Sequence, residues 1–148
     1  MLSISAGYAV HALHYIAVSK SHDPVMTREI AEKYNIPYDS TLKILRQLSR
    51  AGLVIPHRGC QGGFTLTRKA EEISLLNVVE AIDGPVEHGI GMPGESGDEE
   101  LCSKTEALFQ EAAFDLKRKL ETFTIADLIK RDSKLTREDN NTINELKI

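Results

Sequence analysis

The amino-acid sequence predicts a mainly α-helical fold that carries one small β-hairpin and ends in a long helix. Apolar residues recur at helical spacing over most of the chain. A glycine-rich loop at 57–63 separates two short runs of strand-forming residues, and an apolar repeat of four and three covers 109–123. With 148 residues, 41% of them hydrophobic, the chain is long enough to bury one core.

The first predicted helix covers residues 5–19. Its apolar residues lie around most of the circumference, so we expect the helix to be buried between other elements. Two shorter helices follow, over 28–34 and from about 39 to 50, and the turn at 35–37 separates them because the residue before a proline disfavours the helical region. The predicted N-caps are Thr27 for the first and Asp39 or Ser40 for the second.

This pair of helices is typical of a helix-turn-helix, although many helical hairpins share the pattern. The next segment makes the prediction more specific, because residues 53–55 and 64–67 are two short strands joined by a basic, glycine-rich loop. Such a hairpin is a wing. Arg58, at the base of its loop, is placed to enter the minor groove of DNA, where narrow A·T tracts have the most negative potential.

The second half of the chain predicts a short helix at 74–83, ended by Gly84 and Pro85, and then a loop without periodicity up to residue 100. A long helix follows over 101–122, and a last short helix over 125–129 precedes a polar tail at 132–148. The apolar seam of the long helix consists of Phe109, Ala113, Leu116, Leu120 and Phe123. This seam suits pairing with a second copy of the chain, and the alternative is a core helix within one chain.

Charge divides the chain into two unlike halves. Residues 1–70 contain 9 Lys and Arg against 4 Asp and Glu, a balance of +5, whereas residues 71–148 contain 9 against 18, a balance of −9. The formal net charge of −4 therefore conceals a basic N-terminal half, and nucleic-acid binding is expected there only.

Several segments together resemble the Rrf2 family of bacterial winged-helix transcription regulators, which includes iron-sulfur cluster, nitric-oxide-sensing and cysteine-metabolism regulators. The resemblance covers residues 1–130, and its segments are GYAVHALHYIA, TREIAEKYNIP, LKILRQLSRAGLV and HRGCQGGFTLTRKAEEISLLNVVEAIDGP. It implies a winged helix-turn-helix domain at 1–84, a sensor loop at 85–100, a dimerisation region at 101–131 and a polar tail at 132–148.

The resemblance also implies a homodimer that binds a near-palindromic, double-stranded DNA operator and regulates transcription, with repression as the expected sign. The second helix of the pair is expected in the major groove and the wing in the minor groove. The residues assigned to base edges are Tyr38, Asp39, Ser40 and Lys43, those assigned to phosphates are Thr27, Arg28 and Arg46, and those assigned to the wing contact are Arg58, Gly59 and Gly62.

The cofactor is left open by the resemblance. Cluster-binding relatives carry three cysteines before the long helix, but here only Cys102 matches, and Ile90 and Ser96 stand about where the other two are expected. One alternative is a two-iron two-sulfur site with non-standard ligands, namely Cys102, His11 and His14, with His88 as a further candidate. The other is a cluster-free regulator that responds to a small molecule, a partner protein or oxidation of Cys60 in the basic wing loop.

The same sequence argues against several other classes. It contains no phosphate-binding loop, dinucleotide fingerprint or metalloprotease motif, so an enzyme is not expected. It has no apolar run of about 18 residues, which argues against a membrane span, and its 2 cysteines favour a reducing cytoplasm over a disulfide scaffold. The competing function is a winged-helix module that binds protein instead of DNA.

Overall fold

The computed structural model describes residues 2–19, 23–86 and 99–131. Its helices are α1 (Ile4–Val18), α2 (Thr27–Tyr34), α3 (Tyr38–Arg50), α4 (Leu75–Asp83) and α5 (Glu99–Thr122), and residues 125–131 form α6. Strands β1 (Val54–His57) and β2 (Gly63–Leu66) form the hairpin, and a 3₁₀ turn covers Ala70–Glu72. The mainly α-helical fold with a two-stranded wing is as predicted. Most of the predicted sensor loop and the whole predicted tail, with His88, Ile90 and Ser96, lie outside the described residues.

The core is built around α1, as the distribution of its apolar residues predicts. Helices α2, α3 and α4 and strand β2 all contact α1. Ala9 and Leu13 are fully buried, as are Ile30 of α2 and Leu45 of α3. The helix-turn-helix pair therefore lies on a helix that is covered on several sides, which fixes α2 and α3 relative to the wing.

The turn between α2 and α3 is as predicted, but both helices begin one or two residues early. Asn35 ends α2 in the left-handed conformation, with φ of 51°. The N-cap of α2 is Met26, whose N–H donates to a side-chain oxygen of Glu29 at 2.9 Å, and that of α3 is Pro37, whose carbonyl accepts from the N–H of Thr41 at 3.0 Å.

The predicted caps Thr27, Asp39 and Ser40 are thus wrong. All three lie within the first turns of their helices. Backbone geometry explains the difference, because the residue before each helix has the extended conformation of a cap. Met26 has φ of −74° and ψ of 144°, and Pro37 has φ of −54° and ψ of 136°.

The wing is an antiparallel pair in which Val54 lies opposite Leu66 and His57 opposite Gly63. The other edge of β2 pairs with the segment before α2, since Val25 and Phe64 exchange two backbone hydrogen bonds of 3.0 and 2.9 Å. Pro56 faces Phe64 across the hairpin. The backbone N–H and C=O of Phe64 bond to Val25 and not to Pro56. The position of Pro56 therefore requires no N–H donor, and proline, which lacks one, is tolerated there.

The end of the described chain returns to the core beside α4. The predicted helix at 74–83 begins one residue later than expected, because Ser74 is its N-cap and accepts from the N–H of Asn77 at 3.1 Å. The N–H of Leu75 donates to Phe123 at 2.8 Å, and that of Ile125 donates to Ile73 at 2.9 Å. Ile125 is fully buried, so α6 packs as part of the winged domain even though it falls within the predicted dimerisation region.

α5 ends where predicted but begins two residues earlier, within the segment predicted as loop, and none of its residues is buried. Its exposed large apolar residues are Leu101, Leu108, Phe109, Phe114 and Leu116, and Phe123 is exposed just beyond its end. No helix within the described ranges has the length and apolarity needed to cross a membrane.

Candidate nucleic-acid interface

α3 buries one face and exposes the other. The buried residues are Thr41, Ile44, Leu45 and Leu48. Lys43, Arg46 and Arg50 are exposed, and their spacing of three and four residues places them on one side of the helix. The core contacts of α3 therefore direct a row of three basic side chains toward solvent.

These basic side chains have no acidic partner in the part of the chain that the structure describes. The ion pairs found there are Lys104–Glu100, Lys117–Glu80, Arg118–Asp115 and Lys130–Asp127. All of them lie on α4, α5 and α6, whereas Arg28, Lys43, Arg46 and Arg58 make none within the described residues. Basic side chains of the helix-turn-helix and the wing are thus free of ion pairs within the described residues, whereas four basic side chains of the acidic half form them.

The wing loop is shaped by two of its glycines. Gly59 has φ of 109°, a conformation that side chains rarely adopt. A Cβ on Gly62 would lie 2.5 Å from the carbonyl oxygen of His57, so only glycine fits that position without a backbone shift. In the tight loop that results, Arg58 and Cys60 are both exposed.

Five of the predicted DNA-binding residues meet in one cleft of about 380 Å³, which we call the wing cleft. It lies between the first residues of α2, the first residue of α3 and the wing loop. Those five residues are Thr27, Arg28, Tyr38, Gly59 and Gly62. His57 and Cys60 are among the further lining residues that come from the wing.

The other predicted DNA-binding residues lie along α3 and at the wing tip. Asp39, Lys43 and Arg46 line a depression of about 330 Å³ on the outer side of α3. Ser40 and Lys43 line another of about 470 Å³, between the starts of α1 and α3. Arg58 is exposed beside the wing cleft. The structure thus places nine of the ten residues in three concavities that α2, α3 and the wing help to form, and their contact with DNA stays a prediction.

The predicted set omits neighbours that the structure places on the same surface. Gln47 and Arg50 line the depression on α3, and their spacing from Lys43 could have identified them. His57 lines the wing cleft, with its Nε2 atom 2.8 Å from the hydroxyl oxygen of Thr65. Only the strand register reveals this contact, because the two residues are eight apart in the chain.

The candidate metal ligands are not brought together. His11 stacks on Tyr34 with ring centroids 4.8 Å apart, and His14 lies on the same helix. Cys102 is on α5 and half-buried. Among the described residues of one protomer, no three His, Cys, Asp or Glu side chains form a group that could hold a metal ion. The described residues of one chain therefore do not fit an iron-sulfur cluster.

Comparison with known proteins agrees with this architecture. A family model described as Rrf2, an iron-dependent transcriptional regulator, matches residues 2–131. Protein rrf2 of Nitratidesulfovibrio vulgaris is 34% identical over 140 residues, which cover 90% of this chain and 89% of that protein.

Two solved structures share the fold. The first is CymR, the global cysteine regulator of B. subtilis, with a TM-score of 0.74, 20% identity, and coverage of 88% of this chain and 97% of that one. The second is IscR of T. potens, with a TM-score of 0.70, 23% identity, and coverage of 89% and 88%. The match to the family model over residues 2–131 and the 34% identity to protein rrf2 together show that the chain belongs to the Rrf2 family of transcription regulators.

Proposed function

We propose that the protein binds a near-palindromic DNA operator as a homodimer and represses transcription in response to a signal. The observation that carries this proposal is the row of exposed basic side chains on α3 and the wing, which form no ion pair within the described residues. A surface of unpaired Lys and Arg attracts the phosphate backbone, and displacement of its counterions contributes much of the affinity. The site of action is the cytoplasm, where the DNA lies.

Each element of the surface has a distinct role in the proposed complex. α3 enters the major groove, which is wide enough for a helix, so that Tyr38, Asp39, Ser40 and Lys43 reach base edges. Thr27, Arg28 and Arg46 contact phosphates and set the register of the protein on the duplex. In the minor groove, Arg58 makes the wing contact, and Gly59 and Gly62 allow the backbone to approach.

The second copy of the chain pairs through α5. Phe109 is 44% exposed and Leu116 is 42% exposed, although both lie on one apolar seam. Exposure of a continuous apolar seam is unfavourable in water, and pairing with the same seam of a second chain buries it. A two-fold dimer then presents two copies of α3 to two half-sites.

Besides a small molecule or a partner protein, the signal has two candidate routes that involve cysteines. Cys60 is exposed on the wing and lines the wing cleft beside Arg28, so oxidation of its thiol would change the DNA-binding surface directly. A two-iron two-sulfur cluster that uses Cys102, His11 and His14 would need ligands from the second protomer. An absorption spectrum of anaerobically purified protein, with iron and sulfide assays, separates these routes.

The proposed function is tested by the salt dependence of DNA binding. An operator selected from a random duplex library is titrated with protein at several salt concentrations, and the affinity is followed by fluorescence anisotropy. We expect log K to fall linearly with log salt, by about 0.9 for each phosphate neutralised. A flat dependence, or selection of no sequence, would favour the protein-binding module.

Arg46→Ala and Arg118→Ala make a matched pair for this test. Both variants remove one exposed arginine from a helix, but Arg118 lies on α5 and pairs with Asp115 at 3.5 Å. We expect Arg46→Ala to weaken binding and to reduce the salt slope by about 1. Arg118→Ala should leave both quantities unchanged.

A further inference from the structure

The wing cleft has the composition of an anion site. Its lining includes the side chains of Arg28, His57 and Tyr38 and the backbone of Gly59 and Gly62. None of the described residues that line it is acidic. The charge of Arg28 and the backbone dipoles of the glycines therefore face a concave space of about 380 Å³, and no lining carboxylate neutralises the charge.

A nearly buried threonine lines this cleft with a hydroxyl that is free to bond. Thr27 is only 8% exposed, and its hydroxyl makes no hydrogen bond to any of the described residues. The hydroxyl of Thr41 at the start of α3, in contrast, donates to the carbonyl of Pro37 at 3.1 Å. The Thr27 hydroxyl is open to the cleft and not enclosed, so it is available to donate to a ligand bound there.

Backbone donors at the start of α2 lie beside that hydroxyl. Thr27 and Arg28 are the first two residues of the helix, and their N–H groups have no acceptor among the described residues. The next N–H, that of Glu29, already donates to Met26 at 3.1 Å. The carboxylate of Glu29 accepts from the N–H of Met26, so it is held by the cap and does not line the cleft.

We propose that the wing cleft binds a free phosphate-class oxyanion, either inorganic phosphate or a small phosphomonoester. The anion would accept hydrogen bonds from the Thr27 hydroxyl and from the N–H groups of Thr27 and Arg28, and the Arg28 guanidinium would balance its charge. The volume of the cleft is at the lower end of the range for small-molecule sites, so it has room for a few atoms beyond the phosphate group.

The same oxyanion would exclude DNA. In the proposed complex the cleft lies between α3 in the major groove and the wing in the minor groove, where the intervening DNA backbone must cross. A backbone phosphate and a free phosphate would then take the same donors. This second statement rests on the proposed DNA binding, whereas binding of the free anion does not.

The anion site is tested by titrating the full-length, ¹⁵N-labelled protein with sodium phosphate, with sodium chloride at matched ionic strength as the reference. We expect saturable chemical-shift changes at the amides of Thr27 and Arg28 with phosphate and none with chloride. Changes spread evenly over the basic surface, or an absence of saturation, would overturn the proposal.

Variants make the test residue-specific. Thr27→Val keeps the shape of the side chain and removes the hydroxyl, and a lost hydrogen bond to a charged group should weaken phosphate binding about tenfold. Arg28→Gln, at an exposed position, should weaken it by at least as much and serves if Thr27→Val fails to fold. Lys33→Gln removes the same charge from the far end of α2 and should have no effect. Equal phosphate affinity in wild type and both cleft variants would overturn the proposal.

Competition with DNA separates the two sources of phosphate. A labelled duplex is titrated with protein in phosphate and in chloride at equal ionic strength. We expect weaker DNA binding in phosphate, with the difference reduced in Thr27→Val. DNA binding that is salt-dependent but equal in the two anions would overturn the exclusion of DNA alone. Absence of DNA binding in both anions would instead overturn the proposed function, and the titration without DNA would still decide whether the anion site exists.

Discussion

Single residues decide whether the wing can form, and Gly63 is the clearest case. A Cβ at this position would lie 2.4 Å from the carbonyl oxygen of Val25, which is hydrogen-bonded to Phe64. We expect Gly63→Ala to displace the Val25 segment and to lower the free energy of unfolding by about 1–3 kcal/mol. Urea denaturation followed by circular dichroism measures this change.

Gly7→Ala is the control for Gly63→Ala. Gly7 lies within α1, and a Cβ there would meet nothing within 4 Å. Because alanine is a better helix former than glycine, this variant should raise the free energy of unfolding by about 0.5–1 kcal/mol. Equal effects of the two substitutions would contradict the role assigned to the Val25 contact.

Arg58 is the residue on which the proposed minor-groove contact depends. Its side chain is exposed and makes no ion pair within the described residues. We expect Arg58→Ala to weaken operator binding by about 1–3 kcal/mol and to relax the preference for A·T pairs under the wing. Gel-shift titrations on operators with A·T and G·C flanks measure both effects, with Lys33→Ala as the control. Unchanged affinity on both operators would exclude the contact.

Capping residues show what sequence can and cannot specify at this scale. Thr27, Asp39 and Ser40 were predicted as caps and are not, whereas Ser74 is the N-cap of α4 although no cap was predicted there. The same polar residue types are favoured at the cap and in the first turn of a helix, so side-chain chemistry alone does not distinguish those positions. The extended backbone at Met26 and Pro37 decides the start of each helix.

At the scale of elements, α6 is fixed by a reciprocal cap. The N–H and hydroxyl of Thr124 donate to a carboxylate oxygen of Asp127 at 2.9 and 3.0 Å, and the N–H of Asp127 lies 3.3 Å from the Thr124 hydroxyl. Hydrogen bonds from the Thr124 backbone and then from its side chain hold the pKa of Asp127 below its ordinary value of 3.8.

The lowered pKa gives the stability of α6 a defined pH dependence. A carboxyl group with a lowered pKa in the folded state stabilises that state above the unfolded pKa, and the contribution is lost as the pH falls through the folded pKa. We expect Asp127→Ala to reduce the Tm at pH 7, with a deficit that shrinks below about pH 4. Asp115→Ala, which removes an exposed carboxylate paired with Arg118, should show a much smaller deficit. A deficit that is the same at pH 7 and pH 3 would contradict this account.

Periodicity predicted the long elements better than the short ones. The predicted end of α5 at residue 122 matches the structure, because its apolar repeat is continuous. The 3₁₀ turn at Ala70–Glu72 is absent from the prediction, since three residues cannot establish a period. The strands were predicted, but β1 extends to His57 because Pro56 is tolerated at the edge of the hairpin.

At the scale of the whole molecule, the apolar seam of α5 predicts a dimer whose formation contributes to stability. We expect wild-type Tm to rise with protein concentration, because association stabilises the folded state by mass action. Leu116→Glu places a charge in the seam and should give a monomer with a concentration-independent Tm. Arg118→Glu, two residues away on the opposite face, should remain dimeric. Light scattering and thermal denaturation test both variants, and a dimeric Leu116→Glu would contradict the proposed seam.

The packing of α6 could not be predicted from the sequence. Residues 125–129 have a helical pattern, but nothing in it shows that Ile125 pairs its N–H with Ile73. Contacts between residues so distant in the chain depend on the complete fold, whereas periodicity describes one element at a time. The candidate metal ligands also could not be tested by periodicity, because Cys102 and His11 are far apart in the sequence. In the described part of the chain they do not belong to any group of three possible metal ligands.

The bridge between Ser74 and Thr124 has a geometric consequence for DNA recognition. Because this bridge and the buried Ile125 attach the end of α5 to the winged domain, we expect the domain and the end of α5 to move together. In the proposed dimer, the separation of the two α3 helices is then fixed by the angle at which the two α5 helices cross. Operator half-sites are about 34–36 Å apart, so a change in that crossing angle would release DNA without altering any residue that touches it.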